Sequence, residues 1–410
     1  MNKKMTKLGA VLAAPVLLLG LASCATPSAG TDKKVTITFQ EQFNDAESTQ
    51  FTKQLAGFEK AHSNITVKLI RDNDASYYDK LTTQITAGKG PDLARVEPPR
   101  ASQFIAAGWA LPLGDSAGSA KDYFPASLAA VTKGGKLYGV PVDLSALALF
   151  YRTDVFRTAG IAQPPATWDE FQVDAKKLTS GTNHGVGLFG GWGAFEFYPW
   201  LWQSGAEVMN KDQTKATFNS PNAVKALQLW VDLQKSSMPA GMATVTEDDL
   251  KGPFVSGSLA MMTSGPWMIP SLKTAGIDGK WAVAPLPADR SSATVLGGLD
   301  LVVLKNTKSA DAAKTFVNWL MQDSVQKTWA GTLGYIPVKA SLYSDPAFKN
   351  DPYVSVFADV LKQARSRPTV AQAGDVDTAL GNAVQAALSG TKSVKDALDT
   401  GVAAANKALQ

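Results

Sequence analysis

Apolar and polar positions alternate in some stretches of the N-terminal part of the chain and recur at helical spacing in others. Residues 35–39 and 65–69 alternate between apolar and polar side chains, which predicts two β-strands. Apolar residues at helical spacing predict helices at about 48–62 and 76–88. A third strand is predicted at 90–97. The β-α-β-α-β order predicts an α/β fold with a parallel sheet and right-handed crossovers.

A nearly continuous apolar run follows Asp143. Residues 144–150 read Leu-Ser-Ala-Leu-Ala-Leu-Phe, which predicts one long strand covered on both faces. Downstream, Thr167 and Glu170 have the spacing of a helix-capping box and predict a helix that begins at the next residue. Aromatic residues crowd a further predicted helix at 195–204. With 410 residues, the chain is long enough for two domains of about 100–200 residues each.

Motifs around the apolar strand resemble those of a known family. The segments Tyr-Gly-Val-Pro at 138–141, Tyr-Arg-Thr-Asp-Val-Phe at 151–156 and Pro-Pro-Ala-Thr-Trp-Asp-Glu-Phe at 164–171 carry the resemblance. Gly-Pro-Asp at 90–92, before these segments, and Gly-Pro-Trp at 265–267, after them, also match motifs of the family, and all the motifs occur in the family's order. The chain resembles extracellular solute-binding protein family 1, the carbohydrate-binding lipoproteins of ABC importers that include the maltose- and trehalose-binding proteins.

The resemblance implies a fold and a division of the chain. The fold is the periplasmic-binding-protein-like type II fold, in which a three-crossing hinge joins two α/β lobes and the ligand lies in the cleft between them. It implies a first lobe of residues 35–143 plus 300–340 and a second lobe of residues 144–299 plus 341–410. Closure of such lobes around a ligand is a hinge motion, and a ligand favours the closed form only by binding it better.

The N-terminus has the pattern of a bacterial lipoprotein leader. Three lysines precede an apolar segment at about 8–21, which is too short for a permanent membrane helix. Leu-Ala-Ser-Cys at 21–24 resembles a lipobox, so we expect a signal peptide at 1–23, a lipid on Cys24 and a tether at 24–34. The alternative is an ordinary signal peptide with a chance cysteine. Acyl chains on Cys24 would hold the protein on the outer face of the cell membrane.

Charge and motif content narrow the function classes. The net charge of +4 includes the leader lysines, and without them basic and acidic residues are almost equal in number, so we expect no nucleic-acid partner. The single cysteine permits no internal disulfide. The two histidines and the absence of nucleophile, metal-ligand and phosphate-binding motifs argue against an enzyme and against a cofactor. We expect a monomer.

Aromatic rings that could stack on a sugar form the first set of candidate ligand-binding residues. Trp267 follows the Gly-Pro pair at the position where the family stacks a ring on its ligand. Trp192 lies in a glycine-rich loop, and Phe195 and Glu196 begin the aromatic-rich helix. The alternative for each aromatic residue is packing within a core.

Polar residues at predicted strand ends form the second set, because ligands of open α/β sheets bind at such ends. The alternative for most of them is a solvated loop. The set consists of Glu41, Gln42, Asn44, Glu97, Asp143 and Asp300. Arg100 and Arg367 are added as bidentate donors to hydroxyls. Gly298 is added because the glycine pair at 297–298 resembles the one at the family's second hinge crossing.

The resemblance predicts a protein that binds a sugar, a disaccharide or oligosaccharide, and delivers it to ABC transporter permease subunits. Three alternatives stay open. The cargo could be another polar solute such as a glycerophosphodiester. The protein could be a surface glycosidase that uses Glu97 and Asp143 as its two carboxyl groups, or a chemosensory or adhesive surface protein.

Overall fold

The computed structural model describes residues 34–43, 45–72 and 76–410. The leader, Cys24, nearly all of the predicted tether and Asn44 lie outside the described residues. The strands are β1 (Val35–Glu41), β2 (Ile65–Arg71), β3 (Leu93–Val96), β4 (Thr132–Lys133), β5 (Lys136–Leu137), β6 (Gly139–Ala146), β7 (Ala148–Arg152), β8 (His184–Gly187), β9 (Leu259–Ser264), β10 (Trp281–Ala284), β11 (Thr294–Val303) and β12 (Ala364–Arg365).

Helices alternate with these strands, as an α/β fold requires. They are α1 (Asp45–Ala61), α2 (Tyr77–Thr86), α3 (Pro98–Ala106), α4 (Thr153–Thr158), α5 (Trp168–Lys177), α6 (Tyr198–Gln203), α7 (Pro221–Ser236), α8 (Glu247–Ser256), α9 (Ile269–Thr274), α10 (Ala310–Leu320), α11 (Asp323–Leu333), α12 (Pro346–Lys349), α13 (Val356–Val360), α14 (Ala373–Leu388) and α15 (Val394–Ala408). Within the described ranges, no helix combines the length and the apolar character that crossing a membrane requires.

Each of the two lobes contains a β-sheet. The larger sheet has the order β12-β11-β3-β1-β2, with β6 paired to β11. The smaller sheet has the order β10-β7-β9-β8. The predicted parallel arrangement of β1, β2 and β3 is confirmed. The larger sheet is nevertheless mixed, because β11 runs antiparallel to β3 and to β6.

The prediction of a single strand at 144–150 is wrong. The apolar run is divided between β6, which pairs with β11 in the larger sheet, and β7, which pairs with β9 and β10 in the smaller one. Leu147 lies between the two strands and is itself buried, so no polar residue marks the change of sheet. Here the chain makes its first crossing between the lobes.

Two later segments make the other crossings of the hinge. The chain returns from β10 to β11 through residues 285–293. It leaves again after α11, where Ile336 bridges to Leu144. Beyond this point Tyr353 stacks on Trp281 of the smaller sheet, with ring centroids 3.8 Å apart. The predicted three-crossing architecture is confirmed, while the residue numbers of the two lobes stay a prediction.

The aromatic-rich helix is shorter than predicted. It begins at Tyr198 rather than at residue 195, with a proline in its first turn. Residues 192–197 form turns that precede it. Because these residues are not part of the helix, some of their side chains can lie at the boundary between the lobes.

Candidate functional site

A cleft of about 440 Å³ lies between the lobes and is lined by residues of both. Its volume falls in the range of about 300–1,000 Å³ that is usual for small-molecule sites. Of the residues predicted from sequence, the cleft brings together Gln42, Glu97, Asp143, Trp192, Phe195, Trp267, Gly298 and Arg367. Sequence reasoning missed several other lining residues, among them Glu47, Ser145, Glu247, Asp248, Lys251 and Tyr335.

Three aromatic rings form one wall of the cleft. The ring centroid of Trp267 lies 6.2 Å from that of Trp192 and 6.4 Å from that of Phe195. Trp192 is 40% exposed, although most aromatic side chains of the protein are buried. Trp267 is the third residue after the buried strand β9 and lies in a short 3-10 helix at Pro266–Met268, and its ring lines the cleft. The wall offers flat apolar surface of the kind that stacks on ring-shaped ligands.

Glu247 lies beneath this wall at the first residue of α8. Its Oε2 accepts the indole N–H of Trp267 at 2.7 Å, and its Oε1 accepts the hydroxyl of Ser264. Only 2% of Glu247 is exposed. Burial raises the pKa of Glu247 to about 7, although the two hydrogen bonds oppose the change.

Glu196 is buried rather than exposed in the cleft. Its side chain is 0% exposed, and neither carboxylate oxygen has a hydrogen-bond partner among the described residues. Burial, assisted by the charge of Glu247, raises the pKa of Glu196 well above its ordinary value. Glu196 therefore belongs to the protein interior, whereas the adjacent Phe195 lines the cleft.

The carboxylate of Asp143 is bound by other residues of the protein. Its Oδ2 lies 2.6 Å from Nη2 of Arg95, and its Oδ1 accepts the backbone N–H of Leu299 at 2.9 Å. Arg95 is buried, and the ring centroids of Phe43 and Tyr335 lie 4.6 Å and 5.3 Å from its guanidinium carbon. Asp143 therefore borders the cleft as half of a buried ion pair that ties β3 to β6.

A second ion pair lies at the edge of the cleft. Nη1 of Arg367 lies 2.9 Å from Oε2 of Glu97 and 3.5 Å from Oδ1 of Asp377 in α14. The guanidinium carbon also lies 5.3 Å from the ring centroid of Phe195. Burial works against the charge of Arg367, but Glu97 and Asp377 together raise its pKa above the ordinary value.

Gly298, the second residue of the glycine pair in β11, is required by the backbone. Gly298 has a φ of +111°, and a Cβ atom there would lie 2.2 Å from the carbonyl oxygen of Asp143. The pairing of β11 with β6 is irregular at the next step, between Leu299 and Asp300. Asp300 is buried and lines a separate cavity of about 20 Å³ rather than the cleft. Burial, with Asp143 nearby, raises the pKa of Asp300 well above its ordinary value.

Two of the remaining candidates lie outside the cleft lining. Glu41 is fully buried at the end of β1 and accepts the backbone N–H of Phe43. Burial raises the pKa of Glu41 to about 7. Arg100 donates to Gln103 at 3.0 Å and packs against Gly374 of α14. Both residues support the structure around the cleft without lining it.

An opening lined from both sides by two α/β lobes is the architecture of a ligand-binding protein. The sequence model of the family described as "Bacterial extracellular solute-binding protein" matches residues 53–356. The chain belongs to this extracellular family, as its motifs indicate.

Relatives with assigned ligands cover almost the whole chain. The arabinooligosaccharide-binding protein of Bacillus subtilis is 29% identical over 375 residues, covering 85% of this chain and 83% of its own. The GacH receptor of Streptomyces glaucescens, solved without ligand and with acarbose, has a TM-score of 0.85 at 27% identity, covering 92% of this chain and 98% of the receptor. A solute-binding protein of Thermotoga lettingae bound with α-D-tagatose has a TM-score of 0.84 at 28% identity, covering 92% of this chain and 100% of its own.

Proposed function

We propose that this protein binds a carbohydrate, a disaccharide or oligosaccharide, in the cleft between its lobes and delivers it to the permease of an ABC importer. The observation that carries the proposal is the wall of Trp192, Phe195 and Trp267, which adjoins carboxylate and amide groups in one cleft. Sugars present apolar C–H faces and a surrounding set of hydroxyls, so they match this combination. A relative named for arabinooligosaccharide and two similar structures, solved with acarbose and with α-D-tagatose, support a carbohydrate as the cargo.

The distribution of groups over the two lobes supports a closing mechanism. The aromatic wall belongs to the lobe of the smaller sheet, while Gln42, Glu47 and Tyr335 come from the lobe of the larger sheet. A ligand that touches both sides favours the closed form, because only that form makes all the contacts. The permease would then receive the closed, loaded protein.

The ion pairs of Glu97 and Asp143 argue against a glycosidase that uses these two carboxyl groups. Hydrolysis of a glycosidic bond needs one carboxylic acid and one free carboxylate on either side of the bond. Asp143 and Glu97 are the two carboxyl groups that the sequence suggested, and each is paired with an arginine. A binding protein without catalysis fits this arrangement better. Incubation with the bound oligosaccharide should therefore release no reducing ends.

Isothermal titration with a panel of neutral disaccharides and oligosaccharides tests the proposal. Trp267→Leu should weaken binding by about 100-fold or more, because stacked aromatic anchors dominate such sites. Trp109→Leu is the matched control: Trp109 is half-buried beside Phe104 in the other lobe and does not line the cleft. Binding of a glycerophosphodiester with no binding of any sugar would refute the assigned cargo class.

We also propose that the protein is a monomer anchored by lipid on Cys24. The lipobox-like sequence before this only cysteine supports the anchor. In cells labelled with palmitate, the wild-type protein should carry label and sediment with membranes, and Cys24→Ser should do neither. Equal membrane association of both proteins would refute the anchor. Light scattering of the soluble part tests the monomer.

A further inference from the structure

The ring of Trp267 is held at two places. Its Nε1–H donates to Oε2 of Glu247 at 2.7 Å. On the six-membered side of the indole, a Cβ atom at Gly265 would lie 2.0 Å from the ring, so the ring occupies the space that any other residue would fill. Trp192 and Phe195 pack against the same indole. These contacts fix the direction in which the ring faces the cleft.

Glu247 is itself fixed by the elements on which it lies. It is the first residue of α8, and the side chain of Asp249 accepts the backbone N–H of Thr246 at 2.9 Å to cap that helix. Ser264, the last residue of β9, donates its hydroxyl to Glu247. The carboxylate therefore joins the start of α8 to the end of β9, immediately before the turn that carries Trp267.

The groups around Glu247 provide no positive charge that would hold it in its ionised form. Among the described residues, no hydrogen bond or ion pair connects Glu247 to a basic side chain. The acidic Asp248 follows it in α8, and the buried Glu196 faces it from the turn before α6. The one lysine that lines the same cleft is Lys251, one helical turn further along α8. Burial raises the pKa of Glu247 to about 7, so both protonation states occur near neutral pH.

We propose that Glu247 is a positioning residue for the ligand-stacking ring of Trp267, and that the proton on Glu247 adjusts how firmly the ring is held. A carboxylate accepts the indole N–H more strongly than a neutral acid does. The ring is consequently best ordered, and the ligand bound most tightly, when Glu247 is ionised. The inference rests on the proposed function, because it assigns the ring the role of stacking on the cargo.

The first test needs no ligand and so stands apart from the proposed function. Protein labelled with 5-fluorotryptophan has ten tryptophans, and the resonance missing from Trp267→Phe identifies Trp267 in the ¹⁹F spectrum. That resonance should shift with a midpoint near the pKa of Glu247, about 7, and should not titrate in Glu247→Gln. Ser264→Ala should move the midpoint upward, because the serine hydrogen bond lowers the pKa of Glu247. A role in folding alone would not produce these shifts.

The second test measures affinity for whichever neutral sugar binds best. Wild-type affinity should fall severalfold as the pH decreases through about 7, and Glu247→Gln should show the weaker affinity at every pH. Glu247→Leu, which removes the acceptor, should weaken binding by about tenfold, or about 1.4 kcal/mol. Asp232→Asn makes the same carboxyl-to-amide change at an exposed position of α7 and should bind as the wild type does.

Circular dichroism establishes that each variant is folded. If Glu247→Leu does not fold, the titrations of Glu247→Gln and Ser264→Ala still decide the matter. A Trp267 resonance in the wild type that does not respond to pH, or that titrates equally in Glu247→Gln, would overturn the inference. If no sugar binds but the resonance titrates as expected, the cargo assignment fails and the positioning role stands.

Discussion

Removal of the carboxylate of Asp143 should destabilise the fold far more than removal of a surface carboxylate with the same ion-pair distance. Asp143 and Arg95 are 2.6 Å apart, and their side chains are 0% and 1% exposed. Asp143→Ala leaves the guanidinium of Arg95 buried without its counter-ion and leaves the N–H of Leu299 without its acceptor. Loss of one partner of a buried pair costs about 3–5 kcal/mol. The rings of Phe43 and Tyr335 offset part of the loss, because they lie beside the guanidinium.

Lys225 and Asp289 supply the matched control. Their ion pair is also 2.6 Å long, but 56% of the lysine side chain is exposed. Asp289→Ala should cost less than about 1 kcal/mol, because water screens the pair and solvates the remaining charge. Urea unfolding followed by circular dichroism measures both free energies. The double variant Asp143→Ala/Arg95→Met should be more stable than Asp143→Ala alone, because the unpaired guanidinium is removed as well.

Equal losses of stability in Asp143→Ala and Asp289→Ala, within about 1 kcal/mol, would refute this account. The same result would mean that water reaches Arg95 from the cleft. Asp143 would then be available to bind ligand directly, as the sequence suggested.

Three further outcomes follow from the same structure. As the pH rises from about 5 to about 8, the free energy of unfolding should decrease by about 2–3 kcal/mol more in the wild type than in Glu247→Gln. The reason is that the raised pKa of Glu247 stabilises the folded state at low pH, and this stabilisation is lost as the pH rises through about 7. Urea titrations at several pH values measure the difference. Gly298→Ala should lower the free energy of unfolding by about 2 kcal/mol or more in urea titrations, because the new side chain meets both a φ of +111° and a clash. Gly252→Ala is the control: it lies inside α8 with nothing within 4 Å of the added Cβ, so it should be neutral or stabilising. A uronic acid version of the bound sugar should bind at least about tenfold more weakly in competition titrations at about pH 8, because Glu247 is then mostly ionised and has no basic partner among the described residues.

The local pattern of the chain was enough to predict much of the fold. Alternation and helical spacing located β1, β2, α1 and α2 to within a few residues, because these elements have one buried and one solvated face. The Gly-Pro-Trp motif identified Trp267 as a candidate, and this residue lines the cleft. The uniformly apolar run at 144–150 gave no such guidance, because both β6 and β7 are buried along nearly their whole length.

The features of the site that the sequence did not reveal depend on contacts between residues that are far apart in the chain. Glu247 begins the segment Glu-Asp-Asp-Leu, which reads as an ordinary acidic helix start, and its burial arises only when Ser264 and Trp267 pack over it. Asp143 looked like a free strand-end carboxylate, because its partner Arg95 lies 48 residues earlier in the chain. Pairings at such separations leave no periodic signal in the sequence.

The position of β11 has a consequence for how the protein is made. This strand lies between β3 and β12 in the larger sheet, yet the ribosome produces it only after all of β7 to β10. The N-terminal half of a nascent chain therefore lacks an inner strand of its own sheet until Val303 has been synthesised. Folding must wait for that long-range pairing. In a member of an extracellular family, the N-terminal half of the chain therefore cannot complete its own sheet before most of the chain has been synthesised.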